Sequence, residues 1–242
     1  MMAEKKRVYM LDTIRGVLIL GVVIYHLIFD LYYIFGLNCP WIFSPLADFI
    51  RDFGAGMFIF IAGISSRLSH NNYIRAAKTL VCALLLSLAT YIFIREEFIF
   101  LGILHFLAFM MLFYAILGRI IEKIPAIAVM VVNLIIFAFI VPFFLINPIP
   151  YELQINTWTY ILGFGGGKLY SADYFPLLPW FFLFIGGTGT GFYVKEGKIP
   201  KFLYYDICKP ITWIGRHTII IYMLHQPIMY GILSLVFGLG NR

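Results

Sequence analysis

Long apolar runs separated by short charged segments make up most of the chain. Their spacing predicts seven helices, each near the length of about 20 residues that a bilayer requires. The predicted helices cover residues 13–35, 53–69, 77–94, 98–118, 125–146, 176–194 and 211–236. Unbroken runs of this length favour helices over a β-barrel, whose strands would alternate in hydrophobicity over short segments. The pattern predicts an all-α polytopic integral membrane protein, a bundle of about seven transmembrane helices.

The first apolar segment, Leu11 to Tyr33, carries four ionisable residues on one narrow face of the predicted helix. With Arg15 taken as the origin of a helical wheel, His26 lies at about 20° and both Asp12 and Asp30 lie at about 60°. The rest of this helix is almost wholly apolar. A charge in hydrocarbon costs several kcal/mol, so this face is expected to point into the protein or into a water-filled cavity.

Small residues recur in two other predicted helices. Small residues let helices approach closely inside a bilayer, and we expect these residues to mark helix–helix contacts. They are Gly54, Gly56, Gly63 and Ser65 in the second predicted helix and Gly187 and Gly191 in the sixth. The long outer segment 147–175, which contains the run 165–167 of three glycines, is expected to be a binding element or a lid.

Composition supports the membrane prediction and excludes other classes. The chain is 62% hydrophobic and only 12% charged, with a mean hydropathy of +0.92, which a soluble domain of 242 residues could not bury. The net charge of +6 does not indicate nucleic-acid binding, because twelve Lys and Arg residues fall in the loops of one side and four on the other. This positive-inside bias predicts a cytoplasmic N-terminus. Three scattered cysteines suggest neither a disulfide framework nor a metal site.

The predicted topology gathers polar side chains in the outer half of the membrane or at its outer mouth. They are His26, Asp30, Arg51, Asp52, His105, Asp173, Tyr222, His225 and Gln226. Asp30, one turn after His26, would hold one imidazole nitrogen as a donor and leave the other as a base. Taken singly, His105 and His225 fit a structural role equally well. No metal is expected, since the histidines lack the spacing of a zinc site.

Five sequence blocks, in order along the chain, resemble the bacterial relatives of heparan-α-glucosaminide N-acetyltransferase. The blocks are LDTIRGVLILGVVIYHLIFDL, GAGMFIFIAGISS, GILHFLAF, DYFPLLPWFFLFIGG and GRHTIIIYMLHQP. The resemblance covers about Leu11 to Pro227, and it implies one transmembrane acyltransferase domain over residues 1–242. It also implies acyl transfer from cytoplasmic acetyl-CoA to an amine or hydroxyl of a sugar or glycan across a bacterial cytoplasmic membrane.

The resemblance assigns roles to particular residues. Asp12, Arg15 and Gly16 match the opening motif of the family, and His26 matches a polar position that resembles an asparagine in the lysosomal enzyme. The histidine usually regarded as catalytic in the family lies in the first outer loop, where this chain has Leu37 and Asn38 and no histidine. Either His26 has taken over that role, as we expect, or the chemistry is altered.

These assignments lead to a hypothesis for the mechanism of acyl transfer. The phosphates of an acyl-CoA would bind near Asp12, Arg15 and Arg216, because guanidinium groups bind phosphate through paired donors. His26, oriented by Asp30, would act as general base, with an acyl-histidine relay as a variant. The acceptor or the developing oxyanion would contact His105, Tyr222, His225, Gln226, Arg51, Asp52 and Asp173.

Two other functions fit the same residues. Chains of intramembrane histidine and aspartate also serve proton-coupled transporters, although this sequence has no internal inverted repeat of the kind many transporters share. A catalytically dead scaffold is the third interpretation. In all three cases the lipid bilayer is the surrounding partner and no nucleic acid is involved. The sequence leaves a homo-oligomer open.

Overall fold

The computed structural model of the chain describes residues 7–142, 157–164 and 171–238. Within those ranges the regular structure is helical, which confirms the predicted all-α class. The α-helices are α1 (Tyr9–Tyr33), α2 (Pro45–Leu68), α3 (Asn72–Phe93), α4 (Ile103–Ile121), α5 (Ala126–Val141), α6 (Thr157–Leu162), α7 (Trp180–Lys195), α8 (Lys209–Arg216) and α9 (Thr218–Phe237). Short 3-10 turns cover Pro40–Phe43, Arg95–Glu97 and Lys201–Tyr204.

Five of the described helices are long and apolar enough to cross a bilayer, namely α1, α2, α3, α4 and α9. The chain is therefore an integral membrane protein. The fifth and sixth predicted spans correspond to α5 and α7, which have 16 residues each in the described part of the chain. The seventh predicted span is divided at His217, whose φ of −104° and ψ of 17° separate α8 from α9.

Parts of the predicted outer segment 147–175 lie outside the described residues. They are residues 147–156 and 165–170, which include the three glycines at 165–167. The expectation of a binding element or lid therefore stays a prediction. The described chain divides into two compact units, and the first comprises Met1–Phe58 with Ile199–Arg242 while the second comprises Ile59–Lys198.

In the first unit, α1 and α8 pack backbone against backbone. A Cβ atom on Gly215 would lie 1.7 Å from the carbonyl oxygen of Asp12, and one on Gly16 would lie 2.1 Å from that of Ile211. Any side chain at either position would enter the other helix. Gly16 thus has a packing role, because it lets α8 approach the first turns of α1.

A buried threonine adds polar contacts to the same helix pair. The side chain of Thr212 is 1% exposed. Its hydroxyl donates to Asp206 Oδ1 at 2.6 Å, and its oxygen lies 2.8 Å from Thr13 Oγ1 of α1. Hydrogen bonds between buried groups fix the register of two surfaces that apolar contacts alone would allow to slide.

The second unit contains the predicted glycine contacts. A Cβ atom on Gly63 would lie 2.1 Å from the carbonyl oxygen of Phe184, and one on Gly187 would lie 2.3 Å from that of Phe60. One on Gly191 would lie 2.8 Å from that of Ile64. Helices α2 and α7 therefore touch through their backbones, which confirms the prediction for these three glycines. A Cβ atom on Gly54 would have no heavy atom of the described residues within 4 Å, so the prediction is wrong for Gly54.

Candidate functional site

A buried carboxylate at the start of α1 gathers three guanidinium groups. The side chain of Asp12 is 7% exposed. Its Oδ1 accepts a hydrogen bond from Arg15 Nη1 at 2.8 Å, and its Oδ2 accepts one from Arg7 Nε at 2.8 Å. Arg216 Nε lies 3.7 Å from the same Oδ2. Three arginines around one carboxylate leave an excess of positive charge, and the arginines are partly exposed, so this arginine cluster can bind an anion.

Local sequence and tertiary packing each build part of the arginine cluster. Asp12 and Arg15 are three residues apart on α1, where side chains at that spacing meet. Arg216 reaches Asp12 because it follows Gly215, whose missing side chain allows the contact between α8 and α1. The structure thus brings together Asp12, Arg15 and Arg216, as predicted. Arg7 was missed, because the basic run before α1 was interpreted only as a topology signal.

A pair of histidines lies further along α1. The imidazole rings of His26 and His225 have centroids 5.0 Å apart, with planes inclined at 57°. Nε2 of Gln226 lies 3.0 Å from Nδ1 of His26. Helix α9 therefore supplies two polar side chains to the predicted site on α1, and we call His26, His225 and Gln226 the histidine pair with its glutamine. Within the described ranges, no group of three His, Cys, Asp or Glu side chains is arranged to hold a metal ion.

Tyr222 lies beside the histidine pair, as the sequence predicted. Its ring centroid is 5.6 Å from that of His225. Its carbonyl oxygen is 2.7 Å from Nδ1 of His225. Pro227 has no amide hydrogen to donate to the carbonyl of Met223, four residues before it. Helix α9 nevertheless continues through Pro227 to Phe237.

The predicted polar face of α1 faces the protein at several of its positions. The buried residues of α1 are Asp12, Gly16, Ile19 and Asp30, and all four fall within one sector of the helix. Asp30 is 3% exposed. The neighbour of His26 Nδ1 is Gln226, so the role of Asp30 in orienting His26 stays a prediction.

Arg51 forms an ion-pair cluster in the first turns of α2. Its Nη1 donates to Asp48 Oδ1 at 2.8 Å, and its Nε donates to Asp52 Oδ1 at 2.9 Å. The hydroxyl of Tyr25, the neighbour of His26 in the chain, also interacts with Arg51. The structure thus brings Arg51 and Asp52 together. Asp48 was not predicted, and an acceptor-binding role for this cluster stays a prediction.

His105 and Asp173 belong to the second unit. Nε2 of His105 lies 3.2 Å from Ser87 Oγ, which donates to the carbonyl of Ile99 at 2.7 Å. Asp173 Oδ2 accepts a hydrogen bond from the amide of Ile103 at 3.0 Å, so this carboxylate caps the N-terminus of α4. The capping role had no signal in the sequence, because the two residues are 70 positions apart. Contact of either residue with an acceptor stays a prediction.

Comparison with known families identifies a family that covers most of the chain. The model of the family described as heparan-alpha-glucosaminide N-acetyltransferase, catalytic, matches residues 7–227. This range begins at the first residue of the arginine cluster and includes the whole histidine pair with its glutamine. Comparisons with curated proteins and with solved structures find no match to the chain.

Proposed function

Because the chain belongs to the family of the heparan-α-glucosaminide N-acetyltransferase catalytic domain, we propose that it moves an acetyl group from cytoplasmic acetyl-CoA to an amine or hydroxyl of a sugar outside the cytoplasm. Family membership supports a membrane acetyltransferase-like function and implies acetyl-CoA as the donor. The binding of that donor, the side from which each substrate enters, the sugar acceptor and a histidine as general base are the proposed parts.

The observation that carries the proposal is the arrangement of two different polar clusters along one helix. The arginine cluster surrounds Asp12 in the first turn of α1, and His26 follows fourteen residues later. At 1.5 Å per residue, the two are about 21 Å apart along the helix axis. CoA has the matching form, with negatively charged phosphates at one end and the thioester at the end of a long flexible arm.

The distribution of charge supports entry of acetyl-CoA at the N-terminal end of α1. Twelve Lys and Arg residues lie in the loops of the side that includes the N-terminus, and such an excess is typical of the cytoplasmic side. The arginine cluster lies at that end of α1. A donor bound there would extend its arm along α1 toward His26, while the acceptor would come from the opposite side.

The histidine pair supplies the groups that acyl transfer needs. A neutral imidazole can remove the proton from an attacking amine or hydroxyl. A second N–H group can stabilise the negative charge that develops on the thioester oxygen. The alternative of a proton-coupled carrier would require solute movement, and the arginine cluster has no evident part in that process.

The test is release of CoA from acetyl-CoA by the purified protein in detergent, with and without glucosamine-type acceptors. Wild type should release CoA with formation of acetylated acceptor, and His26→Ala should lose that activity. His70→Ala, at an exposed histidine outside the site, is the matched control and should behave like wild type. Acetyl-CoA binding without turnover would point to a different acceptor. Absence of binding, with solute uptake in proteoliposomes, would overturn the proposal in favour of a carrier.

A further inference from the structure

The contact between Gln226 and His26 bears on which nitrogen of the imidazole carries the proton. Nε2 of Gln226 lies 3.0 Å from Nδ1 of His26. The nitrogen of a side-chain amide only donates hydrogen bonds. With the amide in this orientation, Nδ1 is the acceptor and the neutral imidazole carries its hydrogen on Nε2. In this form Nε2 of His26 is an N–H donor and has no lone pair that could accept a proton.

His225 is held in the opposite tautomer. Its Nδ1 lies 2.7 Å from the carbonyl oxygen of Tyr222, and a carbonyl only accepts. Nδ1 therefore carries the hydrogen, and the lone pair is on Nε2. Among the described residues, this Nε2 is buried and has no hydrogen-bond partner. A buried acceptor left open costs about 1–3 kcal/mol, so its presence indicates a partner that arrives with the substrate.

The two rings lie close together and carry complementary groups. Their centroids are 5.0 Å apart. In the assigned tautomers, Nε2 of one ring carries an N–H hydrogen and Nε2 of the other carries an unshared electron pair. General acid–base catalysis needs a base for the attacking group, and oxyanion stabilisation needs a donor. A matched pair of opposite tautomers supplies both functions.

We propose that His225 is the general base, that His26 is the oxyanion donor, and that Gln226 is a positioning residue which sets the tautomer of His26. This inference rests on the proposed acetyltransferase function. It reverses the role that the sequence suggested for His26, because a histidine whose Nδ1 accepts from an amide presents a hydrogen rather than a lone pair at Nε2.

In this proposal the acetyl group passes directly from the thioester to the acceptor, without a covalent enzyme intermediate. The acceptor's nitrogen or oxygen forms a bond to the thioester carbon while its proton moves to His225 Nε2. The carbonyl electron pair moves onto oxygen, where it accepts a hydrogen bond from His26 Nε2–H. When the tetrahedral intermediate collapses, the C–S bond breaks, and the leaving thiolate takes the proton from His225. The products are the acetylated acceptor and CoA thiol.

Glutamine substitutions distinguish the donor from the base. The amide nitrogen of glutamine can replace the N–H group of a histidine, but the amide cannot act as a base. We expect His26→Gln to keep kcat within about tenfold of wild type, whereas His26→Leu should lose about 10²–10³-fold. His225→Gln should fall by about 10²–10⁴-fold, as far as His225→Leu. The reverse pattern, with His225→Gln active and His26→Gln inactive, would overturn the assignment.

Nitrogen NMR of the protein labelled with ¹⁵N-histidine provides a test that does not depend on turnover. Protonated and unprotonated ring nitrogens have well-separated shifts, and the histidine variants assign the signals. We expect hydrogen on Nε2 of His26 and on Nδ1 of His225. Gln226→Leu should give a mixture of His26 tautomers and a lower kcat with an unchanged KM. Reversed tautomers, or a single unchanged tautomer in Gln226→Leu, would overturn the inference even if wild type transfers acetyl groups. A wild type that does not bind acetyl-CoA and moves solute in proteoliposomes would instead overturn the proposed function.

Discussion

Replacement of Gly215 by alanine tests the link between helix packing and the arginine cluster. The new Cβ atom would lie 1.7 Å from the carbonyl oxygen of Asp12 and 2.8 Å from the amide nitrogen of Gly16. Both are backbone atoms of α1, so no side-chain rotation can relieve the clash. Ordinary van der Waals contact begins at 3.4 Å, and the two helices would have to separate by more than an ångström.

This separation should weaken both the fold and the arginine cluster. Overpacking a tight contact costs about 1–3 kcal/mol, which corresponds to a decrease of roughly 2–12 °C in Tm for a chain of this size. Arg216 Nε is already 3.7 Å from Asp12 Oδ2, and a shift of this size would break their ion pair. Acetyl-CoA affinity should therefore fall together with Tm.

The assay is thermal unfolding in detergent combined with equilibrium binding of acetyl-CoA. Gly231→Ala is the matched control, because a Cβ atom on that α9 glycine would have no heavy atom within 4 Å. The control should unfold within about 1 kcal/mol of wild type, since alanine is the better helix former, and should bind acetyl-CoA normally. If Gly215→Ala matched the control in both Tm and affinity, the backbone contact between α1 and α8 would not hold the cluster together.

Substitutions at two further positions test contacts that the structure adds to the sequence. Thr212→Val keeps the shape of the side chain but leaves Asp206 without its hydroxyl donor, so we expect a loss of about 1–3 kcal/mol in the free energy of unfolding; unchanged stability would contradict the buried hydrogen bond. Asp173→Ala should cost about 0.5–2 kcal/mol, because it removes the cap of α4, while Asp173→Asn should retain most of that stability. Equal stability of the two Asp173 variants would argue against capping.

Several features of the molecule follow from the order of residues alone. Hydrophobic runs of bilayer length determine that the chain is a helical membrane protein, because only helices and closed barrels satisfy their backbone in lipid. Helical periodicity puts Asp12, Arg15, His26 and Asp30 on one face, since positions on a regular helix are set by the residue number. These local relations needed no knowledge of the neighbouring helices.

Other features required the tertiary structure, because they join residues far apart in the chain. Gln226 and His26 are 200 positions apart, and their contact is the basis for the tautomer that we propose for His26. The sequence could suggest Asp30 as the partner of His26, since the two lie one turn apart, but only the approach of α9 to α1 put an amide next to Nδ1.

The same distinction explains the glycines and the arginine that the sequence left without a clear role. Gly215 has no pattern that predicts its partner, and its contact with Asp12 exists only because α8 packs against the first turns of α1. Arg7 was interpreted as a topology signal, because a count of charged residues in a loop does not show which group each side chain contacts. Sequence periodicity thus determined which residues share a helix face, whereas the packing of one helix on another decided which atoms meet.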